Sequence, residues 1–95
     1  MTAYDFLKDP ESILDYGFDR SKWLVGDDYI VDSAWAISPT GDLEIVTDSD
    51  TFDGTSTLVR LEGGVVGNTY YLTNHITTAN GLEDERTMRI YVANR

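Results

Sequence analysis

The sequence has no cysteine, one histidine, two prolines and seven Lys and Arg against seventeen Asp and Glu. Without thiols there is no disulfide frame, thiolate metal site or thiol nucleophile, and stability must come from packing and backbone pairing. A single imidazole, His75, removes two-histidine metal sites and leaves one candidate for acid–base work, so an enzyme is disfavoured. The net charge of −10 repels phosphate backbones and argues against nucleic acid as a partner. No apolar run approaches the roughly 20 residues that cross a bilayer, so no membrane partner is expected. The acidic start Met1-Thr-Ala-Tyr-Asp5 lacks the basic and apolar regions of an export signal, and synthesis in a cytoplasm is expected. With 95 residues, 41% of them hydrophobic, the chain can bury one modest core, and one domain follows.

What is present is period-two patterning. Residues 1–26 are broken by Asp9-Pro10 and Gly17 and keep no sustained period, so they read as an N-terminal arm or edge strand, with the β-sandwich over 27–95. Tyr29, Val31, Ser33, Trp35 and Ile37 alternate as the buried face of a strand, with Asp32 opposite. Ser38-Pro39-Thr40-Gly41-Asp42 is a strong turn signal, and the return through Leu43-Glu-Ile-Val46 predicts a hairpin. Residues 47–57 are polar, a loop with room for a short strand. Val59 and Leu61 share one face of the next strand, which Gly63-Gly64 ends. Tyr70, Leu72, Asn74 and Ile76 share a face of a long strand whose other face carries Tyr71, Thr73, His75 and Thr77. Asn80-Gly81 is a hairpin turn, and Met88, Ile90 and Val92 point inward from the last strand.

Five to seven short strands at regular spacing, with almost no helical periodicity, predict an all-β fold: a small antiparallel β-sandwich of the immunoglobulin or fibronectin-III kind. Tyr70 stands where such folds place a corner tyrosine, whose hydroxyl would tie down a neighbouring backbone group. Trp35 is the expected core aromatic.

The candidate sites are few. Asp48, Asp50 and Asp53 could offer oxygens to calcium, but their spacing fails the EF-hand template, and a solvated loop is the preferred reading. His75 has no Gly-x-Ser-x-Gly elbow nearby in sequence, so no catalytic residue is assigned. No cofactor-binding or metal-ligating residue is assigned either, and no cofactor is expected. Acidic neighbours such as Asp42 with Glu44, or Glu83-Asp84-Glu85, are ordinary in so acidic a chain and discourage edge-to-edge aggregation. The N-terminal segment carries more aromatic residues than one sheet edge needs. Tyr16, Phe18, Trp23 and Leu24 are therefore the candidate interface, against the alternative of a first strand packed on its own sheet.

Taken together, Asp9-Pro10, Asp15-Tyr-Gly-Phe-Asp19, Trp23-Leu24, Gly26-Asp27, Trp35, Gly63-Gly64, Gly67, Tyr70-x-Leu-Thr-Asn74-x-Ile-Thr-Thr78, Gly81 and Glu85-Arg86 resemble a family of small virion proteins of tailed bacteriophages. That family is encoded among head and neck genes and described as fiber-tail adaptor or head-tail connector proteins. The resemblance runs from about residue 8 to the C-terminus, with Arg20 standing where the family phrase has a second aromatic. It implies a non-enzymatic structural subunit of the virion, held in several copies by other neck, tail or fiber proteins. Two rival roles are a capsid decoration protein and a calcium- or glycan-binding module using Tyr29, Tyr71 and the Asp48 to Asp53 loop. A hydrolase using His75 is the weakest reading.

Overall fold

The computed structural model describes residues 4–94; Met1–Ala3, the start of the expected arm, and Arg95, the end of the expected sandwich, lie outside the described residues. The alternating segments form eight strands: β1 (Phe6–Lys8), β2 (Ile13–Asp19), β3 (Ile30–Ser38), β4 (Leu43–Ile45), β5 (Thr51–Phe52), β6 (Ser56–Gly63), β7 (Thr69–Thr78) and β8 (Glu83–Val92). They make two sheets, ordered β1-β8-β7-β3 and β2-β6-β4, with β5 also paired to β6. In the immunoglobulin constant-type arrangement one sheet holds strands A, B, E and D and the other C, F and G. Here β2-β6-β4 runs in the B-E-D order and β8-β7-β3 in the G-F-C order, with β1 beside the last strand. The protein is an all-β sandwich.

The core lies where the inward faces of the sheets meet. Val59, Leu61, Leu72, Ile90 and Val92 are wholly buried there, with Tyr16, Leu43, Tyr70 and Met88 around them. The expected faces of β6, β7 and β8 are the observed ones, and β7 and β8 pair as a long antiparallel hairpin. Tyr70 is a corner tyrosine, its hydroxyl accepting the Val65 N–H at 3.0 Å.

Three details differ from the sequence expectation. β1 pairs with β8 in parallel, Phe6 opposite Ile90 and Lys8 opposite Val92, so the first sheet is mixed. β3 and β4 do not form a hairpin: β3 pairs with β7 and β4 with β6. The Ser38 to Asp42 segment instead crosses between sheets, because the chain leaving it is seated on Gly63-Gly64. The Gly64 N–H donates to the Asp42 carbonyl at 2.9 Å, and a Cβ at Gly63 would collide with that carbonyl.

The third difference is phase. A register shift between Ile30 and Asp32 inserts one residue, and a bulge of this kind turns every later side chain to the other face. Ile30 is therefore buried while Tyr29 and Val31 are exposed, and Ser33, Trp35 and Ile37 face inward beyond the bulge. Trp35 and Ile37 pack only half-buried against the core, since β3 is the outermost strand of its sheet.

The described part of residues 1–26 supplies an edge strand to each sheet and a short turn beyond. Asp9 holds the connection between β1 and β2, its carbonyl accepting from Ser12 N–H at 3.1 Å and its carboxylate from Glu11 N–H at 2.8 Å.

Candidate interaction surface

Two fully buried cations close the sandwich, and neither was foreseen from the sequence. Lys8 turns inward from β1 and donates its ammonium hydrogens to the carbonyls of Asp9 (3.0 Å), Ser12 (2.7 Å) and Gly63 (2.8 Å). It thereby fastens the crossover from β1 to β2 onto the end of β6. Burial lowers its pKa, partly countered by the nearby Asp9 and Glu62 carboxylates.

Arg20, just past the end of β2, is buried at the opposite end of that strand from Lys8. Nη1 donates to Asp84 Oδ2 at 2.6 Å, and Nη2 lies 3.2 Å from both the carbonyl and the side-chain oxygen of Asn74. Its guanidinium carbon is 5.4 Å from the Phe18 ring centre. Burial and the neighbouring Arg86 lower its pKa, and Asp84 opposes that shift. The network continues through Asn74, whose Oδ1 accepts from Thr57 Oγ1 at 2.9 Å and whose Nδ2 donates to Ser33 Oγ at 2.9 Å and the Ala34 carbonyl at 3.1 Å. Strands from both sheets thus share one hydrogen-bonded cluster. The sequence signal was the polar Asn74 on an otherwise apolar strand face, which demands a partner once buried.

Above this cluster, three connections meet at one pole of the sandwich: residues 20–29, 53–55 and 79–82. Backbone bonds join them, from Arg20 N–H to the Thr55 carbonyl (2.7 Å), Ile30 N–H to the Gly54 carbonyl and Ala79 N–H to the Tyr29 carbonyl (both 2.9 Å). Asp28 is buried and its Oδ1 accepts from Tyr29 N–H (2.9 Å) and Asn80 N–H (3.0 Å). Desolvation pushes its pKa up, but the hydrogen bonds it accepts outweigh this and leave it below the usual carboxylate value. On this braced base Val25 is 73% exposed, Tyr29 52% and Leu82 48%.

The four candidate interface residues divide. Tyr16 is only 6% exposed and belongs to the core, with Phe6 edge-on to its ring at 5.5 Å. Phe18 is half-buried and stacked on Trp35, ring centres 5.9 Å apart. Trp23 and Leu24 are half-buried on a single turn at the pole, both N–H groups donating to the Arg20 carbonyl at 3.0 and 3.1 Å. Tyr16 packs in the core and Phe18 lies against Trp35 and Arg20, whereas Trp23 and Leu24 are half-buried at the pole beside Val25.

The other candidates do not assemble. Tyr29 immediately precedes β3, while Tyr71 is opposite Ser38 at its far end, so the two tyrosines cannot clamp one sugar. Asp53 Oδ1 is occupied by its own turn, accepting from the N–H groups of Thr55 and Ser56 at 2.8 Å each, and these bonds lower its pKa. Among the described residues no group of three His, Cys, Asp or Glu side chains is placed to hold a metal ion. His75 lies on the outer face of its sheet with Nδ1 3.0 Å from Glu85 and Nε2 2.8 Å from Glu83. Bonds to Glu83 and then Glu85 raise its pKa. When protonated, the ring can donate to both carboxylates at once.

The arrangement is thus a hydrogen-bonded pole that exposes Val25, Tyr29 and Leu82. No curated protein matches the chain. A family model does, over residues 8–91, and its description is "Podophage GP4 fiber-tail adaptor protein gp77". The match takes in every described strand apart from the first residues of β1 and the last of β8, and the chain belongs to this podophage fiber-tail adaptor family.

Proposed function

We propose that the protein is a non-enzymatic structural subunit of the virion, joining components in the neck or tail-fiber attachment region through the pole that carries Trp23, Leu24, Val25, Tyr29 and Leu82. Its partners are other virion proteins, and it is present in several copies after synthesis in the host cytoplasm. The observation that carries this reading is the exposure of Val25, Tyr29 and Leu82 on loops bonded to one another. Apolar side chains on a pre-ordered base lose little entropy on docking, and a protein interface is built around a few such anchors. Repetition by particle symmetry turns modest contacts into a lasting one.

Deleting residues 1–8 would not test this, because Lys8 is buried in the fold. The test is a Trp23→Ala, Val25→Asp double variant supplied to phage lacking the wild-type subunit. The expected result is loss of the subunit from purified particles, while the isolated variant keeps its β-sheet circular dichroism and a cooperative urea transition. Normal incorporation would overturn the docking assignment. Imaging of particles carrying labelled wild-type subunit is expected to place the label at the neck or tail; label over the capsid shell would replace the adaptor role by decoration.

A further inference from the structure

An adaptor that joins two components needs a second contact surface, and the open edge of β3 supplies one. No strand of the described residues pairs with its outer side. The backbone hydrogen-bonding groups on such an edge are a template for another strand, which proteins normally guard with charges, proline or very short edges. The other edges here are guarded in that way: β1, β4 and β5 have two or three residues, β2 carries Asp15, Gly17 and Asp19, and the exposed start of β8 carries Glu83 and Glu85. From Ser33 to Ser38, by contrast, β3 reads Ser-Ala-Trp-Ala-Ile-Ser, with no charge and no proline.

The stretch of chain that carries that edge has charge of one sign, and His75, opposite Ala34 on β7, is held by Glu83 and Glu85. Residues 24–59 contain eight Asp and Glu and no Lys, Arg or His, and β5 packs against β3, bringing the acidic segment around Asp48, Asp50 and Asp53 to this side. Asp32 is exposed on β3 itself. Alternation along β3 also sets what an added strand must present. Its outer face offers the exposed Ala34 and Ala36, and its inner side offers the half-buried Trp35 and Ile37 at the rim of the core.

Resting on the adaptor reading, we infer that the β3 edge takes up an extended segment of a neighbouring virion protein by strand addition, and that this segment alternates apolar with Lys or Arg residues. The backbone ladder holds it, its apolar side chains cover Trp35 and Ile37, and its cations fall on the outer face, beside the exposed Asp32 and in the field of the acidic segment. A second copy of this chain is the poorer occupant, because pairing two β3 edges would bring two uncompensated acidic flanks together.

The test uses the isolated protein and a short peptide of alternating Lys and Val, followed by hydrogen exchange and by titration calorimetry. The expected result is saturable binding that slows exchange of the amides of residues 33–38, weakens with added salt, and falls by at least about tenfold in an Ala34→Lys, Ala36→Lys double variant. Both alanines are exposed, so the variant keeps the fold. A Glu–Val peptide and a peptide with Lys and Val in blocks are expected not to bind. Absence of protection on β3, protection confined to β2, or equal binding of the control peptides would overturn the inference. So would concentration-dependent dimerisation of the free protein that the double variant abolishes, since a second copy would then be the occupant. None of these outcomes bears on whether the Trp23, Val25 variant enters particles, so the two readings fail separately.

Discussion

Arg20 and Asp84 meet at 2.6 Å across the interior, the guanidinium wholly buried and the carboxylate side chain 30% exposed. One residue follows β2 and the other lies in β8, so this contact ties the two sheets together beneath the loop pole. Breaking a fully buried pair by removing one partner costs roughly 3–5 kcal/mol, because the other charge is left uncompensated in a medium that solvates it poorly. Water reaches Asp84, so Asp84→Asn is expected to cost less, about 2 kcal/mol. Urea unfolding measures it. Replacing both partners with Arg20→Met and Asp84→Leu is expected to be milder than Asp84→Asn alone, since no orphaned charge remains.

Lys8 should behave as a clip. Lys8→Met keeps the stem but withdraws donors from three carbonyls, at an expected cost of about 1–3 kcal/mol for groups left unsatisfied. The change should appear in hydrogen exchange first at β1 and the 9–12 turn, because those are the segments the ammonium holds to β6.

Gly17 faces a close backbone neighbour, and a Cβ there would run into the Thr57 carbonyl on β6. Gly17→Ala is expected to lower stability by about 1–3 kcal/mol through forced separation of the two strands. Thermal unfolding checks it, with Gly41→Ala, whose Cβ would enter open space but whose φ of 140° is itself strained, as a comparison for backbone strain alone.

The pH dependence should have two limbs. The pKa of Asp5, Asp15, Asp19, Asp28 and Asp53 is lowered from 3.8, so their contribution is present above the unfolded value and lost as pH falls through the depressed ones. His75 is shifted upward from 6.5, so its contribution is complete below that value and fades as pH rises through the higher folded one. An NMR titration is expected to give His75 a midpoint above 6.5, and His75→Gln should remove the fade that begins above that value while leaving the acid limb intact. A midpoint at or below the ordinary histidine value would mean that Glu83 and Glu85 do not hold the ring in solution.

The strand pattern of residues 56–92 was legible because alternation along a paired strand directly reports which side faces the core. Tyr70 was legible for a similar reason, since a tyrosine at the entry to a long strand has its hydroxyl within reach of the preceding turn. β3 was misread because a bulge inserts one residue without any local mark, and the face of Tyr29 and Val31 depends on where β7 pairs. The burial of Tyr16 was not legible for the same kind of reason. An aromatic strand on a sheet edge has the same local sequence whether its rings turn inward or outward.

Amino-acid order alone determined an acidic, thiol-free, all-strand chain, because composition and period two are local properties. Tertiary structure decided the rest: that Lys8 and Arg20 are buried, that β4 joins β6, that three loops meet at one pole and that no strand of the described residues covers the outer edge of β3. Each of these depends on which distant segments become neighbours, and a buried cation or an open edge exists only in relation to them.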